Sequence, residues 1–205
     1  MKDVSQHKRV ALLAGLVIAS SFVSSVAMAA GNLNARLHGP YAFTSTRTCT
    51  VAREPFDGPY FLIPNVASNT IFRQTATESG IYTFNGDGTA TIEGRSITLN
   101  TTNTSVGASI LSVTEFTTNV NYSVNEDGTV DVATTGAFRF VFGPQVGVTG
   151  TTTGQTGRLQ IAHGNTMLVS APKDVPTMET ITQSNGFLGY RLCVRNTVLA
   201  KLTGN

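Results

Sequence analysis

Apolar side chains recur at every second position in several stretches of this chain. Phe138, Phe140 and Phe142 fall on one face of residues 137–142, with Arg139 and Val141 on the other. Tyr41 and Phe43 alternate in the same way, as do Leu188, Tyr190, Leu192 and Val194. Period two is the mark of a strand with one buried face, and helical periodicity of any length is hard to find. Threonine fills many intervening positions; its β-branch fits the pleat and its hydroxyl meets water. Residues 108–124 read as one further long strand, and the whole chain reads as all-β.

Turn chemistry organises these strands. Tyr82-Thr83-Phe84-Asn85-Gly86-Asp87-Gly88-Thr89 is echoed forty residues later by Tyr122-Ser123-Val124-Asn125-Glu126-Asp127-Gly128-Thr129. Each has an aromatic strand, an Asn, an Asp-Gly pair and a Thr that opens the return strand. Asp-Gly supplies the positive φ that tight hairpins require. A third hairpin is expected where Leu159 to Ala162 turns through His163-Gly164-Asn165 into Thr166 to Val169. Three stretches break the ladder. Residues 53–68 hold Pro55, Pro59 and Pro64 among Phe56, Tyr60, Phe61, Leu62 and Ile63, an apolar loop that must cover something. Residues 100–107 and 143–157 are rich in Thr, Gly and Asn, and read as loops or long hairpin tips.

A meander of hairpins exposes two edges unless it closes on itself. The expected fold is therefore an antiparallel up-and-down β-barrel of roughly eight to ten strands, with a two-sheet sandwich as the alternative. Residues 1–29 read as a secretory signal. Lys2, Lys8 and Arg9 precede an apolar run over residues 10–19, and Ala27-Met28-Ala29 places small residues at the cleavage positions. The run is short for a membrane span, and no Cys follows it to carry a lipid. Cleavage would leave residues 30–205 as one all-β domain, periplasmic or secreted. The full chain has 14 basic and 12 acidic residues; without Lys2, Lys8, Arg9 and Asp3, eleven of each remain. That balance removes the electrostatic footprint of a nucleic-acid or anionic-membrane binder.

Cys49 and Cys193 are the only two cysteines. Neither sits in a Cys-x-x-Cys motif or beside a His, and export would place them in an oxidising compartment, so a disulfide is expected. By simple alternation Cys193 shares a face with Arg191, opposite Leu192 and Val194. Either the bridge lies on the less apolar face of that strand, or Gly189 marks a bulge that changes the parity.

Chemistry-bearing motifs are sparse. Asn85-Gly86-Asp87-Gly88 has the start of a calcium loop, but Gly94 stands where the bidentate acid belongs. His38 and His163 lack partners at zinc-ligand spacing, and no nucleophile elbow, phosphate loop or dinucleotide fingerprint occurs. No catalytic residue, metal or cofactor is expected. Phe138, Arg139 and Phe140 are candidate ligand contacts on the Phe-rich strand, with Phe56, Tyr60 and Phe61 as a candidate lid.

Leu37-His38-Gly39-Pro40-Tyr41-Ala42-Phe43 through Cys49, the hairpin from Tyr82 to Thr89, and Leu192-Cys193 together resemble a family of exported bacterial proteins. Those chains open with a Leu-x-Gly-x-Tyr-x-Phe strand, carry a Phe-Asn-Gly-Asp-Gly-Thr hairpin, and end near a second Cys. Their plan is similar to calycin-like barrels, including lipocalins and the allene oxide cyclase barrel. The lipocalin Gly-x-Trp signature is absent, since the chain has no Trp. The resemblance implies a barrel; the Phe-rich alternating strand and the apolar loop from Phe56 to Ile63 point to one that binds a small apolar ligand. A surface or matrix interaction protein is a second reading. A cofactor-free isomerase or cyclase is a third, implied only by the cyclase likeness, and it would need Glu115 and His38 inside the barrel.

Overall fold

Long threonine-studded strands joined by Asp-Gly turns leave little choice but a meander, and a meander is what forms. The structure is a computed structural model that describes residues 32–58, 61–62, 71–102, 109–173 and 177–203. The expected signal over 1–29, Tyr60, and half of the Pro-broken stretch 53–68 lie outside the described residues. Seven long strands run up and down: β1 (His38–Ala52), β2 (Phe72–Asn85), β3 (Thr89–Thr102), β4 (Ser109–Val124), β5 (Thr129–Phe142), β6 (Thr149–Ala162) and, last in the chain, β9 (Leu188–Lys201). Two short strands, β7 (Met167–Ser170) and β8 (Glu179–Gln183), come between β6 and β9.

The first and last strands pair, so the sheet closes on itself. β1 pairs with β2 along its whole length and with β9 from Tyr41↔Lys201 to Ala52↔Tyr190. β7 and β8 each pair with both β6 and β9, β7 toward one end and β8 toward the other. Together they fill one position, so the barrel is an eight-position cylinder with one position split in two. The pairing of first and last strands closes the sheet into a barrel and excludes the sandwich.

The recurring hairpins share one geometry. Asp87 Oδ1 accepts from the Thr89 amide at 2.8 Å and from its hydroxyl at 2.7 Å. Asp127 Oδ1 does the same for Thr129, at 2.9 and 2.7 Å. Gly88 and Gly128 supply the positive φ at the return. These contacts hold both Asp carboxyls below the usual range, the Thr hydroxyl contributing most. The third hairpin also forms, β6 turning through His163–Asn165 into β7 with Ala162 opposite Met167.

The stretch 143–157 corrects the expectation of a long loop. Only residues 143–148 turn; from Thr149 onward the chain is β6, paired with β5. Its glycines make room rather than flexibility. A Cβ at Gly150 would lie 2.4 Å from the Phe138 ring. Gly154, at φ +79°, sits in the bulge where the register with β5 shifts between Thr134 and Gly136. Residues 100–102 likewise belong to β3, and 103–108 lie outside the described residues.

One end of the barrel is closed by packing. Leu37, Tyr41, Phe84, Tyr122, Val130, Leu168 and Leu199 form its buried apolar core. Tyr41 and Tyr122 both meet Phe84 edge-on, at 5.2 and 5.1 Å between ring centroids. The 3-10 turn Leu33–Arg36 caps this end. The Asn34 side chain accepts from the Val124 amide at 2.9 Å, while the Tyr122 hydroxyl lies 3.1 Å from the carbonyls of Asn34 and Leu37 and accepts from the Gly86 amide.

Candidate functional site

Beyond the packed end the interior changes character. A cavity of about 760 Å³ runs from mid-barrel to the opposite end, where Phe72, Ile110, Phe140, Gln145 and Phe187 stand on its wall. Period two decides who faces it. On β1 the inward set is Tyr41, Phe43, Ser45, Arg47, Cys49 and Val51, every one buried. On β2 Gln74, Glu78 and Tyr82 face the cavity, and on β9 Arg191, Cys193, Arg195 and Thr197 do.

The disulfide is therefore part of the lumen wall. Cys49 and Cys193 are direct register partners on β1 and β9, bonded with their Cα atoms 4.1 Å apart. The parity puzzle resolves in favour of the less apolar face. On β9 it is Arg191, Cys193 and Arg195 that point inward, while Val194 is 73% exposed on the outside.

Around the bridge stands a buried ionic cluster: Arg47, Arg191 and Arg195 with Glu78 and Glu179. Arg47 Nε lies 3.1 Å from Glu78 Oε1, and Arg195 reaches the other oxygen of Glu78 at 3.5 Å. Arg195 also meets Glu179 at 3.1 Å, and Arg191 Nε donates to Glu179 at 2.6 Å and Nη1 to the Gln74 carbonyl at 3.3 Å. Burial alone would raise both carboxyls, but the surrounding guanidinium groups outweigh it. Arg191, Arg195 and Arg47 bring Glu179 down to about 2, and Glu78 is lowered in the same way. Burial, then the like charge of Arg191, brings Arg47 down to about 9, against the pull of Glu78. Arg195 is raised instead: Glu179 and Glu78 more than offset the cost of its burial. Burial raises the Tyr82 phenol beside them.

Among the described residues of this wall, two buried side-chain polar atoms make no hydrogen bond. They are Arg47 Nε, whose approach to Glu78 has the distance of an ion pair without hydrogen-bond geometry, and the hydroxyl of Ser112. Ser45 and Thr197 satisfy each other across the seam at 2.8 Å.

The expected ligand contacts separate. Phe138 and Phe140 are on the cavity wall, edge to face at 5.6 Å, whereas Phe142 ends the strand 56% exposed. Arg139 points outward and is exposed, across from Glu115 in register. Phe56 is buried near the end of β1, and Phe61 is half-buried in a turn at φ 50°. Asp57 bridges to Leu62, so this segment folds back on itself. Glu115 is on the outside too, bonded to Arg95 at 2.6 Å, and His38 is exposed at the packed end. The isomerase reading thus loses the acid and base it was built on.

The five ionic residues were not singled out by motif reading. The signal was present: Arg47 shares its alternation with Tyr41, Phe43, Cys49 and Val51, and Glu78 with Tyr82 and Phe84. A charge on the apolar face of a strand is the pattern that would have found Arg47 and Glu78; on β9 the apolar alternation marks the face opposite Arg191 and Arg195. No family model, no curated protein and no solved structure matches this chain. The structure itself shows a closed antiparallel barrel of eight positions with one position split between two short strands.

Proposed function

We propose that the protein is an exported barrel whose lumen holds a small, mainly apolar molecule. The observation that carries this reading is the cavity itself. Its volume of about 760 Å³ is that of a small-molecule site, and Phe72, Phe138, Phe140 and Phe187 supply apolar wall toward the end opposite the packed core. A barrel evolved only for stability would fill this space with side chains, as the packed end does. The disulfide supports an oxidising compartment, in keeping with a signal over residues 1–29 and a periplasmic or secreted location. Among the described residues no helix is long and apolar enough to cross a membrane.

Native mass spectrometry of protein purified from its own host tests the proposal, together with thermal shifts across a panel of lipids and aromatic compounds. A retained small molecule is expected, or a melting temperature raised by several degrees at saturating compound. A ligand at a hundred times its dissociation constant adds about 2.7 kcal/mol to stability. An empty lumen and no shift across the panel would leave the surface-interaction reading in its place.

A further inference from the structure

Among the described residues, the cavity wall carries more positive charge than its own carboxylates neutralise. Of its ionisable residues, Arg158 is held by Asp131 at 2.8 Å and Lys173 is exposed and donates to Thr156. That leaves Arg47, Arg191 and Arg195 against Glu78 and Glu179, a cluster with one cation in excess. Arg191 is fixed by Glu179 and Gln74, and Arg195 is shared between both glutamates. Arg47 is the weakly held member: its side chain is 8% exposed, and its Nε has no hydrogen-bond acceptor. The Ser112 hydroxyl, also buried without a partner, is on the same wall.

We propose that the lumen recognises a monoanion, a carboxylate-headed amphipathic molecule. Its head lies on Arg47 within the arginine cluster, and its apolar tail runs past Phe138 and Phe140 toward the far end. This rests on the lumenal-binding reading and adds the class of the ligand. A single negative charge balances the cluster; a dianion such as a phosphate monoester would overshoot it beside two buried carboxylates. A guanidinium also matches a carboxylate geometrically, through parallel donors in a rigid fork. The depressed pKa of Arg47 has the same origin, a buried cation insufficiently compensated from within the fold.

The test uses N-phenyl-1-naphthylamine, a neutral dye that brightens in apolar surroundings, displaced in turn by decanoate and by decanol. Two outcomes are expected. Decanoate displaces the dye at a concentration roughly tenfold or more below that of decanol, the scale of one charge-assisted hydrogen bond. The variant Arg47→Met narrows that gap to a few-fold or less. Equal displacement by decanoate and decanol in the wild-type protein would overturn the inference while the lumenal reading stands. Exclusion of the dye and both competitors would overturn the lumenal reading itself. A decanoate preference that survives intact in a folded Arg47→Met protein would overturn the role given to Arg47. The wild-type comparison needs no variant, so the proposal stays testable even if the substitution prevents folding.

Discussion

Arg47 and Arg195 stand directly opposite each other across the seam where β9 closes onto β1, and the next inward pair along that seam is Cys49 and Cys193. Like charges in direct cross-strand register repel. Glu78, on β2, relieves this pair by presenting one oxygen to each guanidinium. The barrel closes on a covalent bond set beside a three-residue ionic bridge.

That bridge is asymmetric, and so should be its response to substitution. Glu78→Gln removes the charge that two arginines share and leaves three buried cations with one carboxylate. Loss of one partner from a buried ion pair typically costs about 3–5 kcal/mol. Arg47→Met instead leaves two arginines facing two glutamates and a stem of similar length. Its cost should be under about 1 kcal/mol, since exchanging a buried charge for a packed apolar side chain is often neutral. Urea unfolding of the two variants measures the difference; equal losses would show that the excess charge at Arg47 carries no penalty.

Acid should weaken the fold through this cluster. The Glu179 carboxyl, lowered to about 2 by Arg191, Arg195 and Arg47 against the effect of burial, stabilises the fold fully above its ordinary value of 4.5. That contribution is lost as the pH falls from about 4.5 through about 2, and Glu78 shifts in the same direction. Linkage puts it on the order of 3 kcal/mol for Glu179. Stability measured from pH 6 to pH 2 should decline steeply in the wild-type protein. The decline should be shallower in Glu179→Gln, which starts from a lower value.

The disulfide restrains a loop of 144 residues of separation. On the chain-entropy account its loss costs roughly 5 kcal/mol. Paired Cys49→Ser and Cys193→Ser substitutions should lower the melting temperature by about ten degrees or more. Non-reducing peptide mapping checks the bond itself and should recover Cys49 and Cys193 in one linked peptide. A shift of only a degree or two would mean that the seam's hydrogen bonds and ion pairs close the barrel without it.

The packed end depends on one hydroxyl. Tyr122→Phe keeps the ring against Phe84 but strips the group that accepts from the Gly86 amide and reaches the carbonyls of Asn34 and Leu37. Buried polar groups left without a partner cost about 1–3 kcal/mol. A loss in that range is expected, with an unchanged denaturant slope because the surface exposed on unfolding is the same. A neutral result would show that water replaces the hydroxyl beneath the 3-10 turn.

The sequence by itself determined the strands, their turns and the need to close. Alternation at Tyr41 and Phe43 and at Phe138 and Phe140 marked inward faces, because a strand's two faces are set by local backbone geometry. Asp87-Gly88 and Asp127-Gly128 marked hairpins, because the φ they require is a property of a few adjacent residues. Two cysteines in an otherwise thiol-free chain marked the seam. Tertiary structure decided the rest. Leu188, Tyr190, Leu192 and Val194 show as good an alternation as any strand here, yet in β9 it is Arg191, Cys193 and Arg195 that face inward. Composition made residues 143–157 look like a loop, because a glycine that frees a turn and a glycine that admits the Phe138 ring are the same letter. The grouping of Arg47, Glu78, Glu179, Arg191 and Arg195 needed closure above all. β1 and β2 meet β8 and β9 only when the first and last strands pair, and charge interactions act through space, across more than a hundred residues of chain.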